Sequence, residues 1–255
     1  AGKGKLPAGE DAAALARQGR RCAGCGRALY RKALGLDKNY APCRHTGLLL
    51  CKKLCHDDEH RPVPGRAALH WDLGGHRVCR AAARYIDAIH RLPLICLSAI
   101  NPGLFDTVQE LRTIRFLRMQ LCLLQNAVQE SKCHLGSTII SSHLGHRVHL
   151  AKETELYSME DLFEIQGGSG NNQGALEAAL AGAVEAAAAH VTAACRECRA
   201  SAEARCGLCR RPEPLFAFQL WAVAHCGRCE ALCHKGCLRA QAKDGLCPAC
   251  EQKNT

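Results

Sequence analysis

What this chain has little of narrows the possibilities first. Aromatic residues make up only 4% of its 255 positions, and methionine occurs twice. Much of the 47% hydrophobic content is alanine and cysteine, so the packed core is expected to be thin and to need a second source of stability. No apolar run reaches about 18 residues and no leader-like segment opens the sequence, which points away from a membrane span and from oxidising compartments. Signatures of catalysis are missing as well. There is no P-loop, no G-x-G-x-x-G between a strand and a helix, and no G-x-S-x-G elbow.

Cysteine, by contrast, is abundant, with nineteen in the chain. Several fall in C-x2-C or closely similar pairs. That spacing suits two corners of a tetrahedral metal site better than a disulfide framework, and it points to Zn²⁺ held in a reducing cytosol. The formal charge of +10 would by itself suggest nucleic acid or an anionic membrane. It counts thiols as neutral, however, whereas zinc ligands are thiolates. Fourteen thiolates against four Zn²⁺ lower the total by six, to about +4. Nucleic acid is therefore not expected as a partner.

The cysteines divide the chain. Residues 1–20 read as a flexible tail and 21–75 as an N-terminal zinc cluster. Residues 76–194 read as a helical region, and 195–251 as a C-terminal zinc-finger module. Ala81, Ala82, Tyr85, Ile86 and Ile89 mark one face of a short helix before Pro93. Asn101 and Pro102 suggest an N-cap and first-turn pair. From Leu104 through Val108, Leu111, Ile114, Leu117, Leu121 and Leu124 to Val128, apolar residues recur every three or four positions, which predicts a long amphipathic helix ending near residue 130. Ser158 and Asp161 resemble a capping box. Gly167–Gly174 (GGSGNNQG) reads as a loop, and Ala175–Ala194 as a spacer helix.

The C-terminal order is the strongest signal. Cys206-x2-Cys209, Cys226-x2-Cys229-x4-His234-x2-Cys237 and Cys247-x2-Cys250 resemble cross-braced PHD and RING-variant fingers. A cross-brace predicts Cys206, Cys209, His234 and Cys237 on one ion and Cys226, Cys229, Cys247 and Cys250 on another. Cys233 is expected to be core. At the other end, Cys22, Cys25, Cys51 and Cys55 would complete a third site. Cys43, His56, Cys195 and Cys198 are then left over, and they suggest a fourth zinc linking the two ends of the chain. The rival is a compact site from Cys195, Cys198, Cys206 and Cys209. Cys79, Cys96, Cys122 and Cys133 stand singly and read as small buried hydrophobes. His143, His146 and His149 read as a polar surface loop. Arg112, Arg115 and Arg118 recur every third residue along the long helix, either as a solvated face or as a charged ridge for a partner.

Between the clusters, Val63-Pro64-Gly65-Arg66, Leu69-His70-Trp71-Asp72, Leu92-Pro93-Leu94 and Ile100-Asn101-Pro102-Gly103-Leu104 resemble segments of the Rubicon homology domain family. Leu156 to Leu162 (LYSMEDL) and Leu215 to Phe218 (LFAF) do so as well. The likeness spans Cys22 to Cys250, and the C-terminal domains of the pleckstrin-homology family M adaptors are the expected nearest relatives. Two departures stand out: three residues separate Cys51 from Cys55 where the family has two, and Leu73 replaces a phenylalanine. The resemblance implies one zinc-rich α plus small β domain over 21–251, a helical middle flanked by zinc clusters. It also implies a non-enzymatic adaptor that binds a GTP-loaded late-endosomal Rab GTPase. Such a protein would be cytoplasmic, recruited to late endosomes, lysosomes and autophagosomes through the Rab. The alternatives are a RING-type ubiquitin ligase and a PHD-type histone reader. Gly245, where PHD fingers usually carry tryptophan, counts against the reader.

Overall fold

The computed structural model describes residues 8–31, 37–167, 174–209, 211–241, 247 and 250. The first seven residues of the expected tail, most of the GGSGNNQG loop (168–173) and Gly245 lie outside these. The chain divides into two compact units, one of residues 1–104 with 157–163, the other of 105–156 with 164–255.

In the first unit, α1 (Ala8–Arg17) is followed by β1 (Tyr40–Pro42), β2 (Leu49–Cys51), β3 (His56–Pro62), α2 (Pro64–His70), β4 (Gly75–Cys79), α3 (Arg80–Ile89), β5 (Ile95–Cys96) and α4 (Leu97–Ile100). Residues 8–17, expected as tail, are thus helical, and Leu15 joins the core with Tyr40, Leu49, Val63, Val78 and Ile86. The strands are short antiparallel pairs. Tyr40 faces Cys51 across β1–β2, and His56 faces Cys79 across β3–β4. Such small ribbons carry few ladder hydrogen bonds and depend on what is pinned at their ends. Asn101 closes α4, its Nδ2 donates to the Leu69 carbonyl at the end of α2, and its own carbonyl accepts from Leu104 N (3.2 Å), the first residue of the next helix.

Further along come α5 (Leu104–Thr107), α6 (Gln109–Glu130), α7 (His134–Leu144), β6 (Leu156–Tyr157), α8 (Met159–Ile165), α9 (Ala175–Ala189), α10 (Arg196–Ala202), β7 (Glu203–Ala204), β8 (Leu215–Phe216), β9 (Val223–His225), β10 (Leu232–His234) and α11 (Lys235–Gln241). The apolar stripe of α6 buries Leu111, Ile114, Leu121, Leu124 and Val128, and α6, α7 and α9 pack on one another. Far from being a spacer, α9 buries Leu176, Leu180, Ala183 and Ala187; its small side chains let neighbouring backbones approach closely. The capping box forms, with Asp161 N donating to Ser158 Oγ (3.1 Å) and Ser158 N to Asp161 Oδ2 (2.8 Å). At the end of α9 the helix widens into a π turn, His190–Ala194. Such turns re-aim side chains and recur at functional sites.

Candidate metal centres

Four groups of cysteine and histidine gather their ligand atoms within 4.8 Å of one another. The first, in the first unit, joins Cys22, Cys25, Cys51 and Cys55. The chain turns sharply after its leading cysteine: Gly26 N donates to Cys22 O (2.9 Å) with Gly26 at φ +71°, a conformation glycine adopts without strain. Cys51 N donates to Cys22 Sγ (3.2 Å), and Cys25 and Cys51 sulfurs lie 3.6 Å apart. Burial opposes ionisation of Cys22, but the N–H groups of Cys51, Gly24 and Cys25 pull its pKa down to about 6. Burial and the neighbouring thiols push Cys55 the other way. Cys51 is lowered too, its burial outweighed by hydrogen bonds led by the Leu54 N–H, while Cys25 is raised. The four therefore do not all ionise together, because four negative sulfurs repel unless a cation sits among them.

The third and fourth groups interleave. Cys206, Cys209, His234 and Cys237 form one; Cys226, Cys229, Cys247 and Cys250 form the other. His234 Nδ1 lies 3.4 Å from Cys209 Sγ and 3.7 Å from Cys237 Sγ. In the fourth group Cys229 and Cys247 sulfurs are 3.7 Å apart, and Cys247 N donates to Cys226 Sγ (3.3 Å). Backbone N–H groups of Cys229, Arg228 and Cys247 lower Cys226 to about 6, whereas Cys250 is pushed up to about 12, chiefly by Cys229. Glu230 occupies the turn position that Gly26 holds in the first group, at φ +57°, with its N–H donating to Cys226 O. Cys233 is fully buried beside Leu215 and Val223 and belongs to neither group.

The second group corrects the sequence reading. Cys195 and Cys198 meet Cys133 and His190, not Cys43 and His56. His190 Nε2 lies 3.3 Å from Cys133 Sγ and 3.5 Å from Cys198 Sγ, and Ser131 Oγ is 3.1 Å from Cys198 Sγ. The Gly136 N–H and His190 lower Cys133 to about 7. The π turn brings His190 and the Cys195–Cys198 pair together, and Cys133 sits at the N-cap of α7. Cys43 is buried with its Sγ accepting from Cys79 N (3.3 Å), and the buried His56 places Nε2 3.2 Å from Pro42 O. Neither belongs to a ligand group among the described residues. The lone Cys133 and a histidine five residues before Cys195 were the available signals.

The arginine ridge is also corrected. Arg118 is fully buried, its guanidinium donating to the carbonyls of Leu150, Glu153 and Leu156. Arg115 pairs with Glu155 (3.0 Å) and lies 4.5 Å over the Phe105 ring. Arg112 donates to the carbonyls of Phe105 and Asp106. These side chains tie the start of α6 and the segment after α7 in place, so no free ridge of three cations exists. His143, His146 and His149 enter no ligand group among the described residues.

Four closed groups of soft, four-ligand donors, two of them interleaved in the order of a cross-brace, could each hold a metal ion in a site of structural form. The chain belongs to the Rubicon homology domain family, whose model matches residues 41–255. It is 31% identical over 236 residues to the fruit-fly (Drosophila melanogaster) protein "Differentially expressed in FDCP 8 homolog", covering 92% of this chain and 45% of that protein. It is 32% identical over 247 residues to the mouse (Mus musculus) "Run domain Beclin-1-interacting and cysteine-rich domain-containing protein", covering 96% of this chain and 24% of that protein. The chain thus spans less than half the length of either relative.

Proposed function

We propose that this chain is a zinc-built adaptor module that binds a GTP-loaded Rab GTPase of the late endosome and works in endosome, lysosome and autophagosome traffic. The observation that carries the metal part is the donor geometry. A tetrahedron with zinc–sulfur bonds of about 2.3 Å has edges of about 3.8 Å, and edges near 3.6 Å where one donor is nitrogen. The sulfur–sulfur separations of 3.6 and 3.7 Å and sulfur–nitrogen separations of 3.3–3.7 Å fit such edges. Each site, filled by four protein ligands, leaves no position for a catalytic water, which supports binding over catalysis.

Membership of the Rubicon homology family supports the GTPase partner, and the exposed side of α6 supplies a surface for it. Phe116 and Met119 lie one turn apart there, each 41% exposed. Gln120 donates to Phe218 O, three residues before the exposed Trp221. Aromatic and methionine side chains of this kind serve as interface anchors. The test is capture of zinc-loaded protein by a panel of Rab GTPases carrying GTP or GDP. A late-endosomal member should bind only with GTP, and Phe116→Ala with Met119→Ala should weaken that binding at least about tenfold. Capture that ignores the nucleotide, or no capture at all, would refute the reading.

A further inference from the structure

The stretch of sequence that supplies the first metal group is rich in positive charge. Between residues 17 and 56 there are ten lysines and arginines and one acidic residue, Asp37. Four thiolates and one divalent ion there carry a charge of only about −2, so the surface stays strongly positive. Against the first metal group lies a cavity of about 330 Å³ lined by Arg27, Ala28, Tyr30, Asn39, Cys51 and Lys53. Its wall is fixed. Asn39 Oδ1 accepts from Tyr30 N (2.8 Å), its Nδ2 donates to Ala28 O (3.0 Å), and its carbonyl accepts from Lys52 N (2.9 Å). With the Asn39 amide committed, the polar groups left to meet a ligand are the Arg27 guanidinium, the Lys53 ammonium and the Tyr30 hydroxyl. Asp37 pairs with Lys52 (3.9 Å), and among the described residues no carboxylate lines the cavity. Tyr30 and Leu54, beside Lys53, stand 54% and 48% exposed, an apolar rim on a cationic pocket.

We propose that this face docks on an anionic lipid surface, seating a phosphorylated lipid headgroup between Arg27 and Lys53 while Tyr30 and Leu54 enter the interfacial layer. Two cations flanking a pocket suit a phosphate monoester. Further basic residues near these in sequence (Arg21, Arg31, Lys38) suit the leaflet beyond the headgroup, and tyrosine and leucine suit the interface itself.

The experiment uses the full zinc-loaded chain and protein-free vesicles, so no GTPase is present and its outcome is separate from that of the Rab capture. Co-sedimentation is measured with phosphatidylcholine vesicles carrying a phosphatidylinositol monophosphate, and with vesicles carrying equal charge as phosphatidylserine. The phosphoinositide vesicles should bind the chain more tightly than the phosphatidylserine vesicles. Arg27→Gln with Lys53→Gln should lower binding by roughly tenfold or more, since each cation near an anionic leaflet contributes a factor of about five, with four metal ions per chain retained. Leu54→Ser should weaken vesicle binding but not binding of a soluble inositol phosphate. The proposal is overturned by equal binding of the double variant, by equal binding to both vesicle types, by undiminished vesicle binding of Leu54→Ser, or by capture on duplex DNA or RNA in place of vesicles.

Discussion

A tetrahedral site depends on each of its four ligands, so the residues of the second metal group can be tested singly. Cys133→Ser or His190→Ala should reduce bound metal from four ions to three, measured by elemental analysis of purified protein. Stability should fall by roughly 3–5 kcal/mol, the range for a lost structural metal. Cys43→Ser should keep all four ions and cost no more than about 2 kcal/mol, through the hydrogen bond that its sulfur accepts from Cys79 N. Three ions in the Cys43 variant would restore the pairing first read from the sequence. Knuckle spacing made fourteen of the sixteen group members readable, because their partners stand three or four positions away. Cys133 and His190 were hidden because a turn of helix geometry, not proximity in sequence, joins them 57 residues apart. Arg118 misled for a related reason. Its period matched Arg112 and Arg115, yet three carbonyls beyond α7 draw it inside. Arg118→Met should therefore cost about 3 kcal/mol in a denaturant titration by leaving those carbonyls unpaired. Losses below about 0.5 kcal/mol would return it to the surface.

At the level of elements, α7 approaches its neighbours so closely that its glycine matters. A methyl group on Gly136 would lie 2.7 Å from a Val128 methyl on α6 and 3.2 Å from the His190 ring. Gly136→Ala should cost about 1–3 kcal/mol by overpacking and, by displacing His190, weaken retention of one metal ion in four under a competing chelator. Unchanged retention would show that the ring can yield without losing its place. The α8 cap is a simpler case, and Ser158→Ala should lower stability by about 1 kcal/mol. That cap, the α3 helix and the stripe of α6 were legible because each is encoded within a few turns. The role of α9 was not. Its alanines look featureless in sequence, and only the tight packing of α6, α7 and α9 explains why small side chains are required there.

For the whole molecule, the sparse aromatic content argued for stability from elsewhere, and groups able to hold a metal ion occur in both units. Removing metal with a strong chelator should abolish cooperative thermal unfolding, since ligand binding and folding are one equilibrium in such modules. A melting transition that survives complete removal would place the stability in the helices instead. The division into units was not legible, because residues 157–163 rejoin the first unit after the long α6 segment. The spacing of the ligands also bears on the order in which the chain acquires its ions as it is made. Closing the second group spans 57 residues between Cys133 and His190, against 18 between Cys229 and Cys247. That longer closure costs about 1 kcal/mol more in chain entropy. During synthesis the first group is complete once Cys55 has emerged, and the second only at Cys198. The third and fourth are threaded through each other: the Cys226–Cys229 knuckle must wait, unsatisfied, while the third group closes around it at Cys237, until Cys247 and Cys250 follow. A ribosome paused between those points would hold two exposed thiols able to take a metal from the wrong site, so the interval between the synthesis of Cys229 and of Cys250 is where mismetallation is most exposed.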